Sequence, residues 1–216
     1  MTKTELWSRL ARKGTNPDKI AELAVQQRTL LPALLEGLEA AEAPVKFGCA
    51  KVLRLMSEKA PAILYPHVDL FIGMLKAQNS FLCWDAIRIV ANLAAVDEWG
   101  RIEQILDDYL DPIRGTVMIT AANTIQGAAA IALAKPALAD KIARAILKVQ
   151  WAKYQTDECR NVAIGHAIES LDRFFDRTSL QKEVLEFVRL QTGNPRNATR
   201  KKAVEFLEKR DRKKKP

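Results

Sequence analysis

The sequence is poor in the residues that mark disulfide-rich, fibrous and low-complexity proteins. It has only 3 cysteines, 9 glycines and 9 prolines in 216 residues. Cys49, Cys83 and Cys159 are odd in number, lie 34 and 76 residues apart and form no Cys-x-x-Cys pair, so we expect reduced thiols and no disulfide framework. With 48% hydrophobic residues, the composition is that of a globular chain long enough to bury a substantial core.

Long hydrophobic segments are absent as well. The longest run of apolar residues and glycine extends from Gly127 to Ala134, far short of the roughly 20 residues that a membrane helix needs. The first residues, Met-Thr-Lys-Thr-Glu-Leu-Trp, lack the apolar stretch of a signal peptide. We therefore expect a cytoplasmic protein with no membrane partner.

Motifs of catalysis and metal binding are also missing. The glycines are isolated, and the sequence contains no Gly-x-Gly-x-x-Gly, no Walker loop and no Gly-x-Ser-x-Gly. His67 and His166, together with the scattered cysteines, do not have the spacing of metal ligands. The sequence thus predicts no metal, no cofactor and no enzymatic activity.

The formal net charge of +8 is concentrated at one end of the chain. Residues 196–216 contain ten basic and three acidic residues, whereas residues 1–195 contain 24 basic and 23 acidic ones. A DNA-binding domain usually carries basic residues over a whole face. A nearly neutral body restricts any nucleic-acid prediction to the C-terminal segment, or to a patch that the total conceals.

What the sequence does contain is an internal repeat. Five alanines recur at intervals of 36, 36, 41 and 40 residues: Ala50, Ala86, Ala122, Ala163 and Ala203. The residues six positions before them are typical of helix starts: Pro44, Ser80, Thr116, Asp157 and Asn197. The residues three positions after them are large and apolar in four of five cases: Leu53, Ile89, Ile125, His166 and Phe206. This pattern predicts one helix per repeat, with a small residue at a helix contact and a large one a turn later.

The repeat predicts an all-α protein of about five helix pairs. The second helices of the pairs, called B helices, are expected at residues 44–58, 80–95, 116–134, 157–174 and 197–210. The first helices, called A helices, are expected at residues 29–40, 62–77, 98–110, 136–150 and 178–191. Pro66 should kink the second A helix or mark its true start.

The ends of the array have their own predictions. Helices at residues 4–12 and 17–26 are expected to form an N-terminal cap, residues 1–27, over the first pair of the repeats in residues 28–210. We expect residues 1–210 to form a single domain. Residues 211–216 are expected to be a frayed basic tail, because no apolar residue follows Leu207.

Two segments carry a resemblance to a known family. Val45-Lys-Phe-Gly-Cys-Ala-Lys-Val-Leu53 and Ala60-Pro-Ala-Ile-Leu-Tyr-Pro-His-Val-Asp-Leu-Phe71 resemble HEAT and armadillo repeats, the second in the style of adaptins and importins. The resemblance implies a right-handed α-α superhelix, a solenoid whose B helices line a concave surface. Since such proteins are usually binding scaffolds, it also implies a protein or peptide partner on the B helices.

Polar and aromatic positions of the B helices are the candidate partner-binding residues. They are Trp84, Arg88, Asn92, Asn123, Arg160, Asn161, His166 and Glu169. Asparagine is a mediocre residue inside a helix, so three of them on one face would offer donors and acceptors to a partner; a solvated face is the alternative. His166 fills a slot that is apolar elsewhere, and it either titrates beside Glu169 in the groove or bonds to a neighbouring repeat.

Nucleic-acid binding is one alternative function. Basic residues near the C-terminus would contact phosphates, against the alternative of a solubilising tail. The candidates are Arg196, Arg200, Lys201 and Lys202.

An enzyme is the other alternative. The segment Ala163-Ile-Gly-His-Ala-Ile168 has a slight resemblance to a family of DNA glycosylases built on a HEAT-like superhelix. Such an enzyme implies an acidic residue among aromatics in a basic groove, and Asp85 beside Trp84 is the pair that fits. The nearly neutral body argues against this function.

Overall fold

The computed structural model describes residues 1–214, with side chains up to Arg212, and all regular secondary structure in that range is helical. The α-helices in chain order are α1 (Lys3–Ala11), α2 (Pro17–Gln26), α3 (Leu31–Glu36), α4 (Ala43–Lys59), α5 (Pro61–Leu64), α6 (Val68–Met74), α7 (Ser80–Leu93), α8 (Arg101–Gln104), α9 (Leu106–Leu110), α10 (Met118–Ala134), α11 (Ala139–Leu147), α12 (Asp157–Phe174), α13 (Gln181–Leu190) and α14 (Asn197–Lys214). The predicted all-α fold is confirmed.

Short 3-10 segments extend or interrupt these helices. They are Arg28–Leu30, Gly37–Glu39, Tyr65–His67, Ala94–Val96, Asp111–Arg114, Pro136–Leu138, Lys148–Trp151, Phe175–Arg177 and Gln191–Gly193. The predicted B helices are α4, α7, α10, α12 and α14, and each is continuous. The A helices are shorter, and Pro66 lies in the 3-10 turn that separates α5 from α6, because proline has no N–H for the helical ladder.

The predicted N-caps were wrong by one or two residues in three B helices. Asn79, not Ser80, caps α7, and Thr156, not Asp157, caps α12; both side chains accept hydrogen bonds from backbone N–H groups of the first turn. The cap must lie just outside the helix in extended backbone, and these residues do. Thr116 lies two residues before α10, which begins without a side-chain cap.

The C-terminal helix is longer than expected. α14 extends through Lys214, so the frayed tail expected at residues 211–216 is wrong for residues 211–214, while residues 215–216 lie outside the described residues. Arg210 is only 6% exposed, and its guanidinium lies 4.4 Å from the ring of Phe175 and 4.8 Å from that of Phe206. The same guanidinium forms an ion pair with Asp172. An amphipathic arginine thus continues the buried face where the sequence has no apolar residue.

The chain forms two compact units. Unit 1 comprises Met1–Ile102 and unit 2 comprises Glu103–Pro216, so the division falls inside α8. The single domain expected for residues 1–210 stays a prediction. No helix within residues 1–214 has the length and hydrophobicity of a membrane span.

Each unit packs its B helices side by side. In unit 1, α4 packs against α7, α6 covers α7, and the two N-terminal helices α1 and α2 pack on α4. In unit 2, α10 packs along α12 and α12 along α14, while α11 covers α10 and α12 and α13 covers α14. Large apolar side chains such as Leu53, Ile89 and Ile125 are fully buried between these layers. One lengthwise stripe of each B helix remains uncovered, and these stripes carry the candidate sites.

Candidate functional site

The open stripe of unit 1 is aromatic. Phe47 on α4 and Phe81 on α7 have ring centroids 5.8 Å apart, and Phe81 meets Trp84 edge to face at 5.3 Å. Phe81 is 62% exposed, whereas Phe47 and Trp84 are half-buried. Three aromatic rings from two neighbouring B helices therefore form a cluster that leaves one ring largely in solvent.

Asp85, which follows Trp84 in the chain, forms an ion pair with an arginine of α4. Arg54 Nε is 3.1 Å from Asp85 Oδ1, and Arg54 Nη1 is 2.5 Å from Glu58 Oε1. Burial raises the pKa of the Asp85 carboxyl above its usual range, while Arg54 and, more weakly, Lys51 and Arg88 counteract that rise. Asp85 is thus a half-buried anion held by surrounding cations.

The remaining predicted residues of unit 1 extend the same stripe. Arg88 and Asn92 follow Trp84 at spacings of four residues on α7, and both are half-buried. Asn92 Nδ2 donates to Ser57 Oγ at 2.9 Å, and within residues 1–212 its side-chain carbonyl oxygen accepts no hydrogen bond. We call the set Phe47, Lys51, Arg54, Phe81, Trp84, Asp85, Arg88 and Asn92 the unit 1 face.

The corresponding stripe of unit 2 is polar and internally bonded. Gln126 Nε2 on α10 lies 3.1 Å from His166 Nδ1 on α12, and Arg173 Nη1 donates to the backbone oxygen of Gln126 at 3.3 Å. Glu169 on α12 pairs with Lys202 on α14 at 2.9 Å, and its other oxygen lies 3.7 Å from His166 Nδ1. We call the set Ile119, Asn123, Gln126, His166, Glu169, Arg173 and Lys202 the unit 2 face.

His166 has the hydrogen bond to a neighbouring repeat that the sequence left as one of two alternatives. Its side chain is half-buried, and burial, followed by the nearby charge of Lys202, lowers its pKa, with Glu169 acting in the opposite sense. A neutral imidazole bonded to Gln126 is the arrangement this environment favours.

The three asparagines do not share one role, contrary to the prediction. Asn161 is buried, its Oδ1 accepts from Asn194 Nδ2 at 3.1 Å, and its backbone oxygen accepts from Thr199 Oγ1 at 2.8 Å. Its position on the open face was therefore wrong, because its amide is used to join α12 to the segment before α14. Asn123 is half-buried and donates to the backbone oxygen of Ile119 on its own helix at 3.0 Å.

Arg160 lies at the first turn of α12, away from the polar chain of the unit 2 face. Its Nη2 is 2.7 Å from Asp157 Oδ1, three residues earlier on the same helix. Asp157 is largely exposed, so solvent screens the pair and it contributes little to stability.

Most of the predicted nucleic-acid residues are already paired. Arg196 forms an ion pair with Glu158, Lys202 with Glu169, and Arg200 Nη1 donates to the backbone oxygens of residues 194 and 195 at 2.7 and 3.0 Å. Lys201 is exposed and has no ion pair within the part of the chain that the structure describes. The high charge of this segment is therefore partly neutralised by acidic residues of the preceding repeat.

The cysteines lie in apolar or helix-facing positions. Burial raises the pKa of the Cys49 thiol to about 12, and the Cys83 thiol faces the backbone oxygen of Leu75 at 3.2 Å. A neutral, buried thiol is a poor nucleophile. Among the described residues, no group of histidines, cysteines and carboxylates is arranged to hold a metal ion.

Sequence reasoning missed Phe47, Lys51, Arg54 and Phe81 on the unit 1 face. A signal for each set was present, since Phe81, Trp84 and Arg88 follow one helical stripe at i, i+3 and i+7, and Phe47, Lys51 and Arg54 follow another at i, i+4 and i+7. The sequence does not show that α4 packs on α7 and so brings the two stripes together.

Comparison with solved structures identifies the fold. A designed armadillo repeat protein is 15% identical to this chain, with a TM-score of 0.57, over 94% of this chain and 98% of its own. An engineered protein solved by the Northeast Structural Genomics Consortium is 17% identical, with a TM-score of 0.55, over 95% of this chain and 87% of its own. Neither description names an enzymatic activity.

No family model and no curated protein sequence matches the chain. The structural similarity therefore identifies the architecture alone, and it agrees with the all-helical repeats described above. The chain is a helical repeat protein with an armadillo/HEAT-like fold.

Proposed function

We propose that the chain is a non-enzymatic scaffold that binds a segment of another protein on the unit 1 face. The observation that carries this proposal is the aromatic cluster of Phe47, Phe81 and Trp84, with Phe81 62% exposed. Aromatic residues and arginine are enriched where proteins bind each other, and a few such residues supply most of the binding energy. The armadillo/HEAT-like architecture supports a binding role on B helices.

The chemistry of the face defines the segment it would hold. The rings would contact an apolar or aromatic side chain, and the exposed edge of Phe81 is the first atom group such a side chain would meet. Lys51 and Arg88 add positive charge around Asp85, the residue that follows Trp84, which favours an acidic residue next to the anchor. The free carbonyl oxygen of Asn92 would accept from a backbone N–H of the segment.

The two alternative functions have less support. The carboxylate of Asp85 lies beside Trp84, as the glycosylase hypothesis requires, but Arg54 already occupies one of its oxygens. The C-terminal nucleic-acid hypothesis is weakened by the ion pairs of Arg196 and Lys202. Binding of a protein or peptide partner thus remains the function that the unit 1 face supports best.

A peptide selection tests the proposal. A random peptide library is selected on the full chain, and the enriched peptides are titrated by calorimetry against the parent protein and the variants Phe81→Ala and Ile119→Ala. Both residues are exposed apolar side chains on B helices, at 62% and 47%, so the second is a matched control from unit 2.

We expect enriched peptides to contain an apolar or aromatic residue next to an acidic one. Phe81→Ala should weaken binding about tenfold or more, as loss of a central aromatic contact does, and Ile119→Ala should leave it unchanged. Circular dichroism confirms that both variants are folded. Equal affinity for the parent and Phe81→Ala, or a loss confined to Ile119→Ala, would contradict the proposal.

A further inference from the structure

A second surface, in unit 2, combines an exposed tryptophan with cations. Trp151 ends the 3-10 turn that follows α11 and is 70% exposed. It lines a surface cleft with Arg114, Lys148, Ala152 and Lys153, and we call these five residues the tryptophan cleft. Arg114 and Lys148 also border a neighbouring cleft that contains Asp107, Asp108 and Asp111.

The indole of Trp151 is unused by the fold. Within the described residues it stacks on no other ring, lies under no cation and makes no hydrogen bond. A tryptophan so exposed contributes little burial to stability, in contrast with Trp7, whose Nε1 donates to the backbone oxygen of Ala33 at 2.9 Å. The ring is therefore available as a flat stacking surface.

The cations of the cleft are also available. Lys148 and Lys153 have no ion pair within residues 1–212. Arg114 has one partner, Asp111 at 3.6 Å, and both side chains are more than half exposed, so solvent screens the pair and a ligand can displace it. The negative end of the α11 dipole favours a lysine at position 148. It accounts neither for Lys153 nor for the exposure of the Trp151 ring.

The cleft is held in one shape by a bond between two repeats. Tyr154 Oη donates to the backbone oxygen of Ile113 at 2.6 Å, and Ile113 is fully buried. This bond fixes the segment after Trp151 against the turn that carries Arg114. A ligand would therefore meet the ring and the cations in a preformed arrangement, with little cost of ordering.

We propose that the tryptophan cleft binds single-stranded nucleic acid. One base would stack on the indole of Trp151, and the adjoining phosphates would lie against Arg114, Lys148 and Lys153. Every base has a flat face that stacks on an aromatic ring, and lysine and arginine neutralise phosphates. A single strand fits better than an acidic peptide, because three cations lie next to one aromatic ring, and each nucleotide supplies both a base to stack and a phosphate to pair.

Fluorescence anisotropy with the full chain tests this site. The probes are a labelled oligothymidylate of about 12 nucleotides, within the usual footprint of such proteins, and the same strand in a duplex. The variants are Trp151→Ala, the double variant Lys148→Ala with Lys153→Ala, and the control Trp99→Ala, which removes another indole that is 62% exposed. A further control, Lys201→Ala with Lys202→Ala, reports on the C-terminal segment.

We expect the single strand to bind and the duplex to bind more weakly. Trp151→Ala should weaken single-strand binding about tenfold, the usual effect of losing one stacked base. The double lysine variant should lower the slope of log affinity against log salt by about 1.4, since each phosphate contact on a single strand contributes about 0.7. Trp99→Ala should change nothing.

Four results would overturn the proposal. They are no detectable binding of the single strand at low salt, an affinity for duplex as high as for single strand, unchanged affinity in Trp151→Ala, and displacement of the strand by an acidic aromatic peptide with the same dependence on Trp151. If only the Lys201 and Lys202 variant loses binding, the contact belongs to the C-terminal segment and the cleft has no such role. Because Phe81→Ala reports on unit 1 and Trp151→Ala on unit 2, the two proposals fail independently.

Discussion

The two units place different side chains on the open stripes of their B helices. The unit 1 face presents aromatic rings, and its exposed member, Phe81, has most of its surface in solvent. The unit 2 face presents polar side chains that bond to each other across helices, as Gln126 does with His166 and Glu169 with Lys202. The same repeat thus leaves contact area for a partner in one unit and joins its own helices in the other.

The physical basis of this difference is how much the side chains of each stripe would gain by contacting a partner. An exposed aromatic ring gains from covering its apolar surface, so it favours a partner. A polar side chain already bonded to a neighbour must lose that bond before it can bind anything else, so it gains little. The largest expected effects of substitution should therefore concern stability in unit 2 and binding in unit 1.

The largest effect on stability is expected at the ion pair that anchors α14. Asp172→Ala removes the partner of Arg210, a guanidinium that is 6% exposed and whose Nε has no partner in the described structure. An uncompensated buried charge should lower the free energy of unfolding by about 3 kcal/mol. Urea unfolding followed by circular dichroism measures the loss.

The control for Asp172→Ala is Glu208→Ala, which removes a carboxylate that lies on α14 itself. Glu208 pairs with Arg212 at 3.3 Å, and both side chains are well exposed, so its loss should cost less than about 0.5 kcal/mol. If the two variants are equally stable, the polar bonds of unit 2 do not hold its helices together, and the contrast between the units fails.

The second effect on stability concerns the half-buried ion pair of Arg54 with Asp85 on the unit 1 face. Arg54→Met leaves Asp85 without its closest cation and should lower the free energy of unfolding by about 1–2 kcal/mol at neutral pH. Burial already holds the pKa of Asp85 above its ordinary value of 3.8, and removing Arg54 raises it further. Since the folded state then holds the proton more tightly than the unfolded state, stability should fall as the pH rises through that pKa.

The double variant Arg54→Met with Asp85→Asn tests the cause. It removes the carboxylate together with its cation, so the loss and its dependence on pH should largely disappear. Unfolding in urea at several values of pH compares the three proteins. A loss in Arg54→Met that does not vary with pH would assign the effect to the pair of Arg54 with Glu58, or to packing, instead of Asp85.

The helices were largely predictable from the sequence, because the residues that recur in each repeat are those that pack between helices. The repeated alanine Ala163 and the helix-start residue Asp157 predicted α12 with its observed bounds, and the other B helices lie within a few residues of expectation. Helix ends were less predictable, since Asn79 and Ser80 are both good capping residues and only the backbone decides between them.

The site was less predictable, because its contacts join residues from different repeats. Asn161 is a polar residue of the kind expected on an open face. Its side-chain oxygen nevertheless accepts a hydrogen bond from Asn194, in the loop before α14. Phe47 contributes to the unit 1 face only because α4 lies against α7. Sequence periodicity identifies the face of a helix on which a residue lies, but it does not tell whether a neighbouring helix covers that face.

The smallest effect on stability is expected for a substitution of His166 that makes the unit 2 face less polar, and so more like the unit 1 face. His166→Leu places in the fourth repeat the apolar residue found at Leu53, Ile89 and Ile125, and it removes the bond to Gln126. At neutral pH the lost bond and the gained apolar contact should nearly cancel, with a change below about 1 kcal/mol.

The pH dependence separates the parent from His166→Leu. Burial and Lys202 lower the pKa of His166 in the folded state, so the unfolded state binds the proton more readily. The parent should lose stability as the pH falls below the ordinary histidine value of 6.5, and the variant should lose less over the same range. Parallel curves for the two proteins would mean that Glu169, which favours the charged ring, offsets burial, and that the bond to Gln126 does not require a neutral imidazole.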